Sequence, residues 1–138
     1  LCTISIGVRF PSTEIKNEIL DALEQAASHS TVPDTWAELD TSRLMECMDT
    51  TDGVMALFRH IQRTAVRCGM DEPGCFQVGG LSDSGITVAC GIPTVCAMGV
   101  RGEGNHTPTE YAEVESLFER CILAACAAGS LEDGFTEQ

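Results

Sequence analysis

The chain has 138 residues and a formal net charge of −13, which results from 8 Lys and Arg residues against 21 Asp and Glu residues. A surface this acidic argues against nucleic acids and anionic membranes as partners, because both bind basic surfaces. Hydrophobic residues make up 43% of the chain but aromatic residues only 5%, so we expect a core of aliphatic, methionine, alanine and cysteine side chains.

The first 50 residues have the pattern of a strand, a helix and a second strand. Apolar and polar residues alternate over residues 3–10, which predicts a half-buried strand. Ser12 then precedes apolar residues at helical spacing, so we predict an amphipathic helix over 13–28 with Ser12 as its N-cap. Residues 35–40 predict a short second strand.

A second helix is predicted after a linker over residues 40–52. Thr51 or Asp52 can cap this helix, and apolar residues at helical spacing extend it over about 53–68. Gly69 follows at the position after the helix end, which glycine favours because it readily adopts a positive φ.

The next part of the chain alternates between predicted strands, loops and helices. We predict strands over 75–78 and 92–98, a short helix between them, and Gly-rich loops over 79–85 and 99–110. Such alternation is typical of α/β proteins with parallel strands, in which ligands bind at the carboxyl ends of the strands. Both loops follow predicted strands, so we expect them at the same edge of the sheet.

A long helix is predicted over residues 112–128. Its periodicity predicts an inward-facing apolar face formed by Val114, Leu117, Phe118, Cys121, Ile122 and Ala125. Gly129 ends the helix, and residues 130–138 predict a frayed acidic tail.

The elements predicted over residues 1–50 are too few to close a core. A strand, a helix and a second strand leave apolar surface and unpaired strand edges exposed. We therefore expect this part to pair with another chain or with residues that precede Leu1. A start at Leu1 rather than Met likewise suggests a processed chain or a fragment of a longer protein.

The chain carries eight cysteines, and no two of them have CxxC spacing. The absence of this spacing argues against a zinc ribbon or a thioredoxin-like motif. Most of the cysteines lie in apolar stretches, so we predict reduced, mostly buried thiols in a cytoplasmic protein, with a disulfide framework as the alternative. No transmembrane helix or signal peptide is visible in the sequence.

His106 is the main candidate for a metal ligand, because it lies in the Gly-rich loop that follows a predicted strand. Histidine is the commonest metal ligand. Further oxygen ligands could come from Glu103, Glu110 and Glu113. The alternative is a solvated loop histidine, or one that caps a nearby backbone carbonyl, among glutamates at the surface and at the start of a helix. We expect His60 at the surface and His29 at a helix end, where the helix dipole favours a cation, and neither has a partner for a catalytic pair.

The loop over residues 79–85 is the second candidate site. Its backbone N–H groups, together with Ser82 and Asp83, can hold a carboxylate or an oxyanion. An ordinary turn is the alternative interpretation. The chain contains no G-x-S-x-G motif and no Walker A loop, so it offers no support for serine-hydrolase or P-loop chemistry.

Four motifs follow one another over residues 79–129: a Gly-Gly-x-Ser-Asp loop, a Gly-Ile-Pro turn, a His-Thr-Pro-x-Glu-Tyr segment and a Ser-Leu-x-Glu-Arg run. Their residues are Gly79, Gly80, Ser82, Asp83, Gly91, Ile92, Pro93, His106, Thr107, Pro108, Glu110, Tyr111, Ser116, Leu117, Glu119 and Arg120. In order and spacing they resemble the C-terminal segment of the M20 metallopeptidase family, which includes aminoacylases, deacylases and tripeptide-cleaving aminopeptidases. Residues 3–23 are similar to the end of the family's lid domain.

This resemblance implies an α/β fold. Residues 51–138 would form the C-terminal part of a zinc-peptidase-like α/β domain. Residues 1–50 would form part of a ferredoxin-like lid domain, with a strand-helix-strand order and a role in homodimer formation.

The resemblance also implies two zinc ions that activate a bridging water and polarise the scissile carbonyl, with a carboxylate as general base. His106 matches the family's last metal ligand. A region that lines the substrate side is matched by Gly79, Gly80, Ser82 and Asp83.

Much of the family's site has no counterpart in these residues. The chain contains neither a His-x-Asp motif nor a Glu-Glu pair, so it lacks the general base and most metal ligands. A catalytic zinc needs at least three protein ligands. Val78 stands where some relatives carry an arginine, so a strong carboxylate clamp is not expected there.

We therefore predict the C-terminal fragment of a di-zinc hydrolase that acts on small peptides or N-acyl amino acids and is inactive alone. Its partner would be the N-terminal portion of the same protein. A non-enzymatic dimerisation or regulatory module derived from the same fold is the alternative. A Cys-rich metal-binding or redox protein is a further option.

Overall fold

A computed structural model describes residues 1–131, and four helices and one short strand pair lie within them. The helices are α1 (Thr13–Ser28), α2 (Asp52–Arg67), α3 (Ser84–Ala89) and α4 (Val114–Gly129). Strands β1 (Gly102–Glu103) and β2 (Tyr111–Ala112) pair antiparallel. None of the described helices is long and apolar enough to cross a bilayer. Beyond residue 131, the predicted acidic tail lies outside the described residues.

The chain divides into two compact units. The first contains Leu1–Asp49 and Gln77–Ile92, and the second contains Thr50–Phe76 and the chain from Pro93 onward. The sequence predicts a single boundary at residue 50, whereas the structure adds residues 77–92 to the first unit. Gly85 explains this grouping, because α3 packs so closely on the Glu46 carbonyl that a Cβ would clash with it.

Helix α1 forms where the sequence predicts it. Ser12 is the N-cap, and its side chain accepts a hydrogen bond from the Ile15 N–H, as predicted. The helix turns a half-buried apolar face inward, formed by Ile15, Ile19, Leu20, Leu23 and Ala27. Lys16 lies on this face, is only 7% exposed and pairs with Glu46. The ion pair offsets the cost of burying the ammonium group.

Helix α2 also matches its prediction. Thr51 is the N-cap and accepts a hydrogen bond from the Val54 N–H. At the other end Gly69 has a φ of 75°, and the Met70 N–H donates to the Ala65 carbonyl. This arrangement is a Schellman motif, which needs the positive φ that glycine tolerates.

The core of the second unit lies between α2 and α4. Its buried members are Ile61, Ala65, Leu123 and Ala127, and the half-buried Leu57, Met70, Val95 and Met98 pack around them. None of these residues is aromatic, as the composition predicts.

The prediction of the inward face of α4 is wrong. Ser116, Leu123 and Ala127 are buried, whereas the predicted inward residues Val114 and Phe118 are 67% and 65% exposed. Because α4 is apolar on both sides, periodicity does not distinguish them, and the side that faces α2 is set by small residues that fit against Ala65.

The predicted strands over 3–10, 35–40, 75–78 and 92–98 are not formed among the described residues. A strand needs a neighbouring strand for its ladder of hydrogen bonds, and these segments find none in residues 1–131. Residues 1–9 are exposed rather than half-buried. The α/β class therefore stays a prediction from the sequence pattern and the resemblance.

Two predictions of burial are also wrong. His60 is 4% exposed rather than at the surface, and its Nε2 lies 2.9 Å from the Ala127 carbonyl oxygen, which holds α2 against α4. All eight cysteines are free thiols, but six are exposed, and Cys47 and Cys68 are half-buried. The short apolar segments around them have too few neighbours to cover the thiols.

Candidate functional site

His106 lies in the loop of a small hairpin formed by β1 and β2. The register pairs Gly102 with Ala112 and Glu103 with Tyr111. Gly102 is required here, because a Cβ at this position would clash with the Tyr111 carbonyl oxygen. The predicted loop over 99–110 therefore contains a strand pair, and α4 begins at Val114, two residues later than predicted.

Hydrogen bonds within the loop order its backbone. Thr107 N–H and Thr107 Oγ1 both donate to the Gly104 carbonyl, at 3.0 and 2.6 Å, and Glu110 N–H donates to the Thr107 carbonyl. Gly104 has a φ of 78°, which permits the turn before His106. The loop that presents His106 is thus a defined turn rather than an unstructured glycine stretch.

Arg101 fastens the hairpin to the start of α4. Its backbone N–H donates to the hydroxyl of Ser116, which is fully buried, and its carbonyl accepts from the Glu113 N–H. Its guanidinium contacts Glu113 at 3.0 Å and Glu119 at 2.7 Å. These carboxylates raise the pKa of Arg101. This role of Arg101 is not predicted from the sequence, because the spacing of these residues alone does not reveal a contact.

His106 itself is exposed and has a φ of 66°. A non-glycine residue in this left-handed region costs about 1 kcal/mol or more, and such residues cluster at functional sites. The His106 N–H donates to Glu110 Oε2 at 3.3 Å, whereas neither ring nitrogen has a hydrogen-bond partner within residues 1–131. The imidazole is therefore free to bind a ligand.

The other predicted ligands do not gather around this imidazole. Glu110 bonds the His106 backbone, and Glu113 pairs with Arg101. In the part of the chain that the structure describes, no three His, Cys, Asp or Glu side chains are close enough to hold a metal ion. One imidazole falls short of the three protein ligands that zinc needs, so these residues by themselves do not fit a zinc centre.

The second candidate loop lies in the first unit. Gly79, Gly80, Ser82 and Asp83 are all exposed. Asp83 precedes α3 without making a side-chain cap. Ser82 Oγ lies 2.9 Å from Ser84 Oγ, which also lies 3.2 Å from Met48 Sδ. These contacts fix the loop at its α3 end and leave its glycine end open to solvent.

Arg9 is a neighbour of this loop that the sequence does not predict. Its guanidinium lies 3.5 Å from the position that a Cβ on Gly79 would occupy. Nearby, Gln77 Nε2 donates to the Pro11 carbonyl, which holds the two segments together. Arg9 has no ion-pair partner among the described residues. A free cation beside exposed glycine N–H groups is chemistry that suits a carboxylate.

The two candidate loops belong to different units of the chain. His106 and its hairpin lie in the second unit, and the loop with Gly79 and Arg9 lies in the first. Each is an ordered, exposed feature by itself.

No family model, curated protein or solved structure matches this chain. The resemblance to M20 metallopeptidases therefore rests on the motifs in the sequence.

Proposed function

We propose that this chain is the C-terminal portion of a di-zinc amide hydrolase of the M20 type, which acts on small peptides or N-acyl amino acids. The observation that carries the proposal is the free, exposed imidazole of His106 on an ordered hairpin. In the complete site this imidazole would be one metal ligand, and the remaining ligands and the general base would come from residues outside this chain. The zinc ions, when bound, would activate a water for attack on the amide carbon.

The strained backbone of His106 supports this role. Hydrogen bonds from Thr107 and the contacts of Arg101 with α4 hold the hairpin in place, so the left-handed φ of His106 is imposed by its surroundings. A metal ligand benefits from this constraint, because ligand geometry must be held within a fraction of an ångström.

Arg9 and the loop over 79–83 support a substrate with a carboxylate. Peptides and N-acyl amino acids carry a C-terminal carboxylate, and a guanidinium beside backbone N–H groups is suited to bind it. Arg9 thus offers the cation that Val78 does not provide. In this proposal it orients the substrate and takes no part in bond cleavage.

The exposed surface supports the fragment interpretation. Phe118 and Ile122 of α4 are 65% and 52% exposed, although an apolar helix face is normally covered. This exposure is expected where further residues of the same protein would pack.

We infer a cytoplasmic location from the free thiols of this chain. Free thiols persist in a reducing compartment, and all eight cysteines of this chain are unpaired.

The homodimer expected from the lid resemblance is part of the proposal, since residues 1–9 are exposed and available for pairing.

The test uses the complete reading frame that contains these residues, expressed and purified with zinc. We expect hydrolysis of N-acetyl amino acids or dipeptides. Residues that merely support a metal ligand change activity about 10–100-fold, so we expect His106→Ala to lower kcat/KM by at least about 100-fold. The matched control is His29→Ala, because His29 is exposed and, among the described residues, its side chain contacts only Ser28 and Gln25; this variant should keep wild-type activity.

Arg9→Gln separates substrate binding from chemistry. We expect KM for a substrate with a free carboxylate to rise about tenfold or more, which corresponds to one charge-assisted hydrogen bond. KM for the same substrate with its carboxylate converted to an amide should stay unchanged. A reading frame that starts just before Leu1, or full activity in His106→Ala, would contradict the proposal and favour a non-enzymatic module.

A further inference from the structure

The outer face of α2 carries three arginines in one row. Arg59, Arg63 and Arg67 follow one another at intervals of four residues, so they lie on the same side of the helix, about 6 Å apart along its axis. The core residues Ile61 and Ala65 lie on the opposite side. All three arginines are exposed, and none has an ion-pair partner among the described residues. The arginine row is therefore an open cationic surface.

This row is unusual because the chain is strongly acidic. The chain has only 8 Lys and Arg residues against 21 Asp and Glu residues, and three of the eight lie in the row. Like charges four residues apart on a helix repel each other. The only acidic residue of α2, Asp52, lies in the first turn, and the helix dipole accounts for Arg67 in the last turn but not for Arg59 and Arg63. We therefore expect the compensating negative charge to come from outside α2.

Helix α1 carries a matching row of acidic residues. Glu14, Glu18 and Asp21 are three or four residues apart, so they lie on one side of the helix, opposite the buried Lys16. All three are exposed and have no ion-pair partner within residues 1–131. Lys16 is the only basic residue of α1, and it pairs with Glu46 instead. The acidic row therefore has no positive charge within its own helix to balance it.

We propose that α1 of one copy of the chain packs against α2 of a second copy, with the acidic row facing the arginine row. In both rows the charged groups are about one helical turn apart, so carboxylates and guanidinium groups can pair in register. Rows of opposite charge on facing helices select which helices pair, as the e and g positions of coiled coils do. A second copy is the partner that fits, because it supplies the acidic row at the required spacing. The inference does not depend on the proposed hydrolase function, and this surface is separate from residues 1–9.

The test exchanges the charges of one row at a time. The basic-α1 variant combines Glu18→Lys with Asp21→Lys, and the acidic-α2 variant combines Arg59→Glu with Arg63→Glu. The charged residues in the first turn of α1 and the last turn of α2 are left unchanged, because the helix dipole favours them there. Binding of a fluorescently labelled copy to an unlabelled one measures the affinity of each pairing.

We expect each variant to bind itself at least about tenfold more weakly than the wild-type chain binds itself, which corresponds to the loss of about two exposed ion pairs. In such a pair the facing rows carry mostly the same sign. A mixture of the two variants should regain about wild-type affinity, because each exchanged row then meets an exchanged row of the opposite sign. The exposed apolar side of α4 is the same in all these chains, so it contributes equally to every pairing.

Net charge is controlled by a variant with the same change elsewhere. The basic-α1 variant is less negative than the wild-type chain, so weaker general repulsion alone would make it bind itself more tightly. The matched control combines Glu38→Lys with Glu103→Lys, since both residues are exposed and lie outside the two rows. We expect this control to bind itself at least as tightly as the wild-type chain.

Neutral substitutions keep the test informative if a charge exchange unfolds a helix. Glu18→Gln combined with Asp21→Asn preserves the shape of both side chains and should weaken self-association a few-fold, with an unchanged circular dichroism spectrum. Three results would overturn the inference: a wild-type chain that stays monomeric, a basic-α1 or neutral variant that binds itself as tightly as wild type, and a mixture of the two exchanged variants that binds no more tightly than either variant alone.

Discussion

Asp49 stabilises a helix end that lies 36 residues away in sequence. Its carboxylate accepts a hydrogen bond at 2.9 Å from the Thr13 N–H, one of the N–H groups in the first turn of α1 that have no partner within the helix. Hydrogen bonds from Thr13 lower the pKa of Asp49 below its ordinary value of 3.8. Local sequence reveals the Ser12 cap of the same helix, but no local pattern points to Asp49.

The lowered pKa predicts how Asp49 affects stability at different pH values. A carboxyl group whose pKa is lower in the folded state stabilises the protein above its unfolded pKa, and this effect is lost as the pH falls through the folded pKa. We expect Asp49→Asn to lower the free energy of unfolding by about 0.5–1 kcal/mol at pH 7. Urea unfolding of wild type and variant at pH 7 and pH 3 measures this. The prediction would be contradicted if the free energies of unfolding of wild type and variant differed as much at pH 3 as at pH 7.

His106 and Arg9 show which site residues a sequence can reveal. His106 is recognisable because it lies within a motif of adjacent residues. The proximity of Arg9 to Gly79 joins segments 70 residues apart, and it follows from how the first unit folds. Likewise, the contacts of Arg101 with Glu113 and Glu119 depend on the hairpin that brings β1 back to α4.

Helix α4 has two apolar sides, and this explains why its existence but not its orientation is predictable. Its charged residues Glu115, Glu119 and Arg120 lie between the two sides on a helical wheel. One side, with Ser116 and Leu123, packs on α2. The other carries larger side chains, so a rule that places the larger side chains inward selects the wrong side.

Substitutions on the two sides of α4 should have different effects on stability. Leu123 is 1% exposed, so Leu123→Ala should lower the free energy of unfolding by about 2–5 kcal/mol through lost burial and a cavity. Leu117 is 48% exposed, so Leu117→Ala should cost less than about 1 kcal/mol. Denaturant unfolding of both variants measures the difference, and a larger effect of Leu117→Ala would show that the originally predicted face is the buried one.

At the scale of the whole molecule, exposed apolar residues outnumber buried ones. Among the described residues six hydrophobic side chains are buried, whereas twenty large ones are exposed, including Ile4, Trp36 and Phe118. A folded soluble chain rarely leaves so much apolar surface open without a partner. This imbalance is expected if the strands predicted over residues 3–10 and 92–98 need partner strands that residues 1–131 do not supply.

This surface predicts that the isolated chain associates. We expect light scattering to show species larger than a monomer at micromolar concentrations and above. Phe118→Ser combined with Ile122→Ser should shift the distribution toward monomer without lowering the free energy of unfolding, because both side chains are exposed. A monodisperse wild-type monomer at high concentration would contradict the prediction that further residues cover this face.

Helices were more predictable than strands for a physical reason. Apart from the Asp49 contact, the hydrogen bonds and caps of α1 and α2 lie within each helix and its flanking residues, so local sequence is sufficient to predict both helices. A strand over 3–10 or 92–98 depends on a partner strand, which local sequence cannot supply. Similarly, the His106 loop is recognisable from its residues, while the rest of a metal site depends on residues elsewhere in the protein.

The zinc content of two proteins tests the central claim most directly. One is the product of the complete reading frame that contains these residues, and the other is the 138-residue chain alone. After equilibration with zinc and removal of the unbound metal, elemental analysis should find two zinc ions per complete chain and no stoichiometric zinc in the shorter one. Stoichiometric zinc in the 138-residue chain, or none in the complete protein, would contradict the claim that His106 is one ligand of a site completed by residues outside this chain.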